Sequence, residues 1–210
     1  MDKNTILKGL YPITPNFYKS DIDYLGKLES VMKSNINIFQ FRSKTLSFKR
    51  KKYLLKRISM MCIENNVKLI VNDDYNLARN FGADGLHLGS KDINLKSARK
   101  YFGDNFIIGK SCYNSIELAK QSVNDGASYV SFGSMFPTRS KESAIIAKHS
   151  IIIEAKKIIN IPICVIGGIN KLNLNDLMKY KPDMVCMISG VFDHNKVSEE
   201  IKDIKDIILR

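Results

Sequence analysis

An α/β fold with parallel strands is predicted by three features of this chain. Short runs rich in β-branched residues alternate with segments of helical period, the pattern of repeated strand–helix units. No linker or composition shift divides the 210 residues, so one domain is expected across 1–210. Polar residues of catalytic type also stand at the carboxyl end of one apolar run after another.

Taken in order, the apolar runs place strands at 8–14, 36–41, 67–71, 83–88, 106–110, 128–133, 161–166 and 183–188. Gln40, Arg42 and Lys44 close the second, Asn72 and Asp73 the third, and Asp92 follows the fourth. Ser111 ends the fifth, and Thr138, Ser140 and Lys141 follow the sixth. Gly167-Gly168 ends the seventh and Ser189-Gly190 the eighth. Between them lie helical segments such as 22–34, 48–65, 94–101 and 115–125. In the last of these, Ile116, Ala119 and Val123 recur at three- and four-residue steps and form one apolar stripe. A closing helix is expected over 197–209, with Ile201, Ile204 and Ile208 on one face. Eight such units predict a (β/α)8 TIM barrel, in which strand carboxyl ends form the active face. The chain is short for that fold, whose typical length is about 250 residues. The longest irregular stretch, 136–147, follows strand six, and loops of that length are often functional.

Composition narrows the function classes. Hydrophobic residues make up 44%, enough for one sizeable core, and no apolar stretch approaches the roughly 20 residues that cross a bilayer. The amino terminus lacks a basic segment followed by an apolar signal core, so a soluble, cytoplasmic protein without membrane partners is expected. Cys62, Cys112, Cys164 and Cys186 are widely spaced, which argues against a zinc site and a stapled secreted domain. The net charge of +12 suits anionic small-molecule substrates, though lysines on solvated helix faces would produce it equally. No aromatic residues interleave with the basic ones in a recognisable module, so nucleic acid is not the expected partner. Composition leaves a homo-oligomer open.

Particular residues then carry chemistry. Gln40, Arg42 and Lys44 alternate, so an extended backbone points all three to one side of the barrel mouth. A guanidinium fork beside an ammonium and an amide suits a diphosphate, whose oxygens need several donors. Solvated basic residues at a strand end are the alternative. Asp73 and Asp92 bring two carboxylates from neighbouring strand ends, a partial oxygen shell of the kind Mg²⁺ uses when phosphates and water complete it. Both also precede helical segments, where acidic residues commonly act as caps, and Asp74 adds to that ambiguity. The glycines after strand seven and the Ile188-Ser189-Gly190 run after strand eight stand where barrels often bind a phosphate monoester through backbone N–H groups. A turn would also use them. His87 falls inside the fourth strand and is read as a hydrogen-bonded barrel histidine, while His149 and His194 are placed in helices, so no catalysis is assigned to histidine.

Read in order, Gln40-Phe41-Arg42-Ser43-Lys44, Val71-Asn72-Asp73, the run from Gly82 to Gly89, Asp92, the run from Phe136 to Lys141, Ile166-Gly167-Gly168-Ile169 and Ile188-Ser189 closely resemble the thiamine phosphate synthase family. The resemblance spans Leu10-Tyr11 to Ser189. It implies a transferase that joins 4-amino-5-hydroxymethyl-2-methylpyrimidine diphosphate to a thiazole phosphate, releasing pyrophosphate through a pyrimidine methylene cation. It also implies that Gln40, Arg42, Lys44, Asn72 and Lys141 hold the pyrimidine diphosphate, and Phe41, Ser43 and Arg139 of the same motifs are expected among the substrate-binding residues. Ser111 would lie near the pyrimidine and bridging diphosphate, and Asp73 and Asp92 would hold Mg²⁺. Thr138, Ser140, Gly168, Ile188 and Ser189 would hold the thiazole phosphate. Lys141, Arg42 and Ser111 are the residues expected to act on the reacting atoms.

The chain departs from the family pattern at Asp74, Ser90, Tyr113 and the 142–149 stretch. Two other functions stand beside the synthase. A related thiazole tautomerase would need neither diphosphate nor metal, and the presence of Arg42, Lys44, Asp73, Asp92 and Lys141 disfavours it. A basic nucleic-acid-binding protein would explain the charge but not its placement at strand ends.

Overall fold

The computed structural model describes residues 6–16, 18–90, 92–138 and 145–210. Eight strands form one parallel sheet: β1 (Gly9–Pro12), β2 (Ile38–Phe41), β3 (Lys68–Asn72), β4 (Gly85–Leu88), β5 (Ile107–Tyr113), β6 (Tyr129–Phe132), β7 (Ile163–Val165) and β8 (Met184–Met187). Neighbours run from β1 through β8 and back down to β2. The ring closes between β1 and β2 through a parallel bridge of Ile13 with Gln40 and a bond from Thr14 N–H to the Gln40 carbonyl at 3.0 Å. The Thr14 hydroxyl tightens the seam, donating to the Arg42 carbonyl and accepting from the Arg42 N–H, each at 2.7 Å. A (β/α)8 barrel results.

Helices fill the crossovers: α1 (Asp21–Met32), α2 (Phe48–Glu64), α3 (Tyr75–Asn80), α4 (Leu95–Phe102), α5 (Ile116–Asn124), α6 (Ile151–Lys156), α7 (Lys171–Met178), α8 (Ser189–Phe192) and α9 (Val197–Ile208). Their starts follow from local chemistry, because a side-chain oxygen meets an orphan N–H in the first turn. Ser20, Ser47, Asn94 and Ser115 cap α1, α2, α4 and α5 in this way. Asn170 and Asn173 form a reciprocal capping box on α7.

Alternation along the strands divides the apolar residues into two cores. Tyr11, Ile38, Ile70, Ile107, Tyr129, Cys164, Met184 and Cys186 point inward and fill the barrel. Leu10, Phe39, Leu69, Leu86, Ile108, Val130, Val165 and Val185 point outward and pack under the helices, where each fully buried aliphatic side chain contributes about 1.5–3 kcal/mol. Ala119 on α5 and Ile201 and Ile204 on α9 complete that outer layer, along the stripes the sequence marks. The barrel interior needs glycine at two points. A Cβ on Gly85 would lie 2.3 Å from the Ile107 carbonyl oxygen, and one on Gly109 would lie 2.1 Å from the Tyr129 ring.

The predicted strand runs fall on all eight strands, with one extension. β5 continues past Ser111 to Tyr113, with a register irregularity between those residues where it pairs with β6. The helical placement of two histidines is corrected. His149 sits in the turn before α6 and His194 in the bend after α8. Among the described residues, no helix is long and apolar enough to cross a membrane.

Candidate active site

A cavity of about 510 Å³ opens at the carboxyl ends of the strands. Gln40, Arg42, Asn72, Ser111, Thr138, Gly168, Ile188 and Ser189 all line it, so it gathers expected site residues from β2, β3, β5, the β6 loop and the ends of β7 and β8. Period-two geometry accounts for the first three, since Gln40, Arg42 and Asn72 share the inward phase of their strands. Arg42 is held by its own backbone seam to Thr14 and by Asn16, whose side-chain Oδ1 accepts from Nη1 at 3.2 Å. Burial lowers the Arg42 value and the nearby Asp73 carboxylate opposes that shift. A guanidinium stays protonated under such conditions, so the cavity carries a fixed positive charge.

Lys44, Asp73 and Asp92 do not line this cavity but stand beside Asn72, which does, and Lys44 donates to the Asp73 carboxylate. Asp73 in turn is hydrogen-bonded to Asp92, whose Oδ2 accepts the Gly89 N–H at 2.5 Å. Burial alone would raise Asp73, but the bond to Lys44 and the contact with Asp92 outweigh it and hold its carboxyl below the ordinary value. Asp92 moves the other way, raised first by burial and then by its neighbour Asp73. Two adjacent carboxyls driven apart in this manner carry repulsion that a cation would relieve.

The capping alternative for this pair fails. The cap of α3 is Asp74, whose side chain accepts from Leu77 N–H at 3.0 Å, and the cap of α4 is Asn94. Asp73 instead holds a positive φ of 63°, a conformation uncommon for a residue with a side chain, which turns it toward Lys44 and Asp92. Among the described residues, no group of three or more His, Cys, Asp and Glu side chains could hold a metal by itself. The pair therefore fits an ion that takes its remaining ligands from phosphate and water.

On the opposite wall, Gly167 and Gly168 adopt φ of 105° and 64°. A Cβ at Gly167 would come within 2.0 Å of Ser134 Oγ, and one at Gly168 within 2.3 Å of the Pro137 carbonyl oxygen. Only glycine lets the β7 loop pass this close to the β6 loop while leaving backbone facing the cavity.

Some expected site residues are elsewhere. Phe41 is 2% exposed and packs in the outer core, because it has the opposite phase to Gln40 and Arg42. Ser43 Oγ accepts from the Leu46 N–H, a local turn bond, and Ser43 does not line the cavity. Arg139, Ser140 and Lys141 lie outside the described residues.

A row of polar side chains crosses the barrel from Gln40 to Ser111 through Tyr11, Tyr129 and His87, three residues to which the motifs gave no role in the site. Gln40 Nε2 donates to the Tyr11 hydroxyl at 2.9 Å, and the Tyr11 and Tyr129 hydroxyls are 3.0 Å apart. Tyr129 OH lies 2.9 Å from His87 Nδ1, and His87 Nε2 lies 2.9 Å from Ser111 Oγ. Burial drives His87 down to about 4, leaving the imidazole neutral, and raises both tyrosines well above their ordinary value. The inward phase of Tyr11, His87 and Tyr129 was legible in strand alternation, but their meeting across the barrel was not. Tyr113 also lines the cavity, and its hydroxyl accepts the Ser90 N–H at 3.2 Å.

Comparison with known proteins agrees with this geometry over nearly the whole chain. The family model for thiamine monophosphate synthase matches residues 10–191. The thiamine-phosphate synthase of Pelagibacter ubique is 38% identical over 209 residues, covering 99% of this chain and 100% of that protein. That of Thioalkalivibrio sulfidiphilus is 35% identical over 186 residues, covering 89% and 88%. The solved thiamine phosphate pyrophosphorylase of Pyrococcus furiosus superposes with a TM-score of 0.86 at 27% identity, covering 98% and 97%. With its barrel, its cavity at the strand carboxyl ends and these matches, the chain belongs to the thiamine monophosphate synthase family.

Proposed function

We propose that the chain is a transferase that condenses 4-amino-5-hydroxymethyl-2-methylpyrimidine diphosphate with 4-methyl-5-(2-phosphoethyl)thiazole, or its carboxylate form, to give thiamine phosphate and pyrophosphate. Its family and its relatives named thiamine-phosphate synthase support the activity. The observation that carries the reading within the site is the carboxylate pair Asp73 and Asp92, joined to Lys44 and not spent on helix capping. A tautomerase that handles no diphosphate has no use for it.

In this reading Arg42 and Lys44 bind the diphosphate, with Asn72 beside them and Lys141 from the β6 loop. Asp73 and Asp92 would hold Mg²⁺, which when bound supplies positive charge against the diphosphate oxygens. Gly168, Ile188 and Ser189 hold the thiazole phosphate through backbone N–H groups and the Ser189 hydroxyl, with Thr138 and Ser140 as further contacts from the segment after β6. The two anions thus take opposite walls of one cavity, which brings the pyrimidine methylene carbon and the thiazole nitrogen together. The C–O bond to the diphosphate breaks, its electron pair leaves with pyrophosphate, and the amino-substituted ring delocalises the cation. The thiazole nitrogen then donates its lone pair to that carbon. No protein nucleophile is needed, and the rate comes from positioning and from charge placed at the departing group.

The test is incubation of purified protein with both substrates and Mg²⁺, followed by product analysis. Thiamine phosphate and pyrophosphate in equal amounts, abolished by excess chelator, are expected. Isomerisation of the thiazole carboxylate phosphate alone, insensitive to chelator, would replace this reading with the tautomerase.

A further inference from the structure

We infer that the buried row Gln40–Tyr11–Tyr129–His87 is a one-directional hydrogen-bond chain that fixes Ser111 as a donor into the cavity, making Tyr11, Tyr129 and His87 positioning residues for the departing diphosphate. The inference rests on the synthase reading for the identity of the group that receives the bond. Its direction follows from counting protons. Gln40 Nε2 can only donate, so its 2.9 Å contact makes the Tyr11 oxygen an acceptor and leaves the Tyr11 proton for Tyr129, 3.0 Å away. The Tyr129 oxygen is then an acceptor too, and its own proton points to His87 Nδ1 at 2.9 Å. A neutral imidazole with an accepting Nδ1 carries its single proton on Nε2, and that proton is given to Ser111 Oγ at 2.9 Å.

Ser111 thereby receives a bond on its oxygen. Among the described residues, His87 is its one side-chain partner, so the hydroxyl proton is left for what enters the cavity it lines. Tyr11 and Tyr129 are 0% exposed, so water does not compete for the bonds between the two phenols, while His87, 9% exposed, borders the cavity. Gly109 is part of the arrangement, because any Cβ there would displace the Tyr129 ring that stands between Tyr11 and His87.

A donor aimed at an oxygen that gains charge as the C–O bond breaks is worth more in the transition state than in the bound substrate. No proton is transferred: the electron pair goes to pyrophosphate and the Ser111 hydrogen bond shortens around it. Loss of the chain should therefore lower kcat and leave both KM values nearly unchanged.

Two measurements test this. Long-range ¹H–¹⁵N spectra of the wild-type histidine rings, of which the chain has three, should show His87 with pyridine-like Nδ1 and protonated Nε2 near neutral pH. That readout needs no turnover, so it stands apart from the synthase reading. A protonated Nδ1 or a doubly protonated ring would overturn the inference. In the second measurement, Tyr129→Phe should lose the single tautomer and reduce kcat roughly tenfold, the scale of one neutral hydrogen bond. In a Ser111→Ala background the same substitution should cost less than twofold, because the chain acts only through Ser111. Full additivity of the two losses would overturn it. Should Tyr129→Phe not fold, the wild-type spectrum decides alone.

Discussion

Asp73 and Asp74 are adjacent and chemically identical, yet the backbone gives them different tasks. Asp74 has extended backbone and turns its carboxylate onto the first turn of α3, while Asp73 at positive φ meets Lys44 and Asp92. Asp73→Asn and Asp92→Asn should each lower activity at least tenfold at ordinary Mg²⁺, with partial recovery at high Mg²⁺. Thermal melting should barely move, since neither caps a helix. Asp74→Ala should do the reverse, costing about 1 kcal/mol, or roughly 2–4 °C in melting temperature, with turnover little changed. Lys44→Ala should weaken pyrimidine diphosphate binding far more than thiazole phosphate binding, by roughly 1.5–3 kcal/mol, as isothermal titration with each substrate would read. Equal losses for both would remove Lys44 from the diphosphate wall.

The loop after β7 and the strand β5 are each shaped by glycines whose absent Cβ makes room for a neighbouring element. Gly168→Ala would add a Cβ 2.3 Å from the Pro137 carbonyl at a φ of 64°, so the β7 and β6 loops must separate. Its expected signature is a thiazole phosphate KM raised more than tenfold with the pyrimidine diphosphate KM within about twofold, a split that steady-state kinetics resolves. Gly109→Ala attacks β5 from inside the barrel, where the new methyl lies 2.1 Å from Tyr129. Overpacking there should cost about 1–3 kcal/mol in urea unfolding.

For the molecule as a whole, acid stability should carry the mark of the buried histidine. His87 has an ordinary value of 6.5 and falls to about 4 when folded, so below about pH 6.5 the unfolded chain takes up a proton that the native barrel refuses. Stability contributed by the neutral imidazole is complete above 6.5 and is lost as pH falls toward 4, at no more than about 1.4 kcal/mol per pH unit. Urea midpoints measured from pH 7 to 4 should fall accordingly, and His87→Gln should flatten that part of the curve. An unchanged slope in the variant would mean that His87 is not excluded from protonation.

Strand periodicity in the sequence was sufficient for the eight-fold ring, for the outer and inner phases of residues such as Leu10 and Tyr11, and for the cluster of Arg42, Asn72, Ser111 and Ser189 at one end. These follow from local rules, since alternation along a strand and the direction of a crossover need only the residues themselves. The motif that placed Phe41 beside Arg42 could not assign it to the site, because adjacent residues on a strand face opposite sides. Distant contacts depended on the closed barrel. Asp73 was separated from its capping role by a backbone turn with positive φ, and Tyr11, His87 and Tyr129 were brought into one chain only when β1, β4 and β6 curved around a common interior. Sequence patterns specify which side of a strand a residue occupies, whereas the curvature of the sheet decides which residues meet across it.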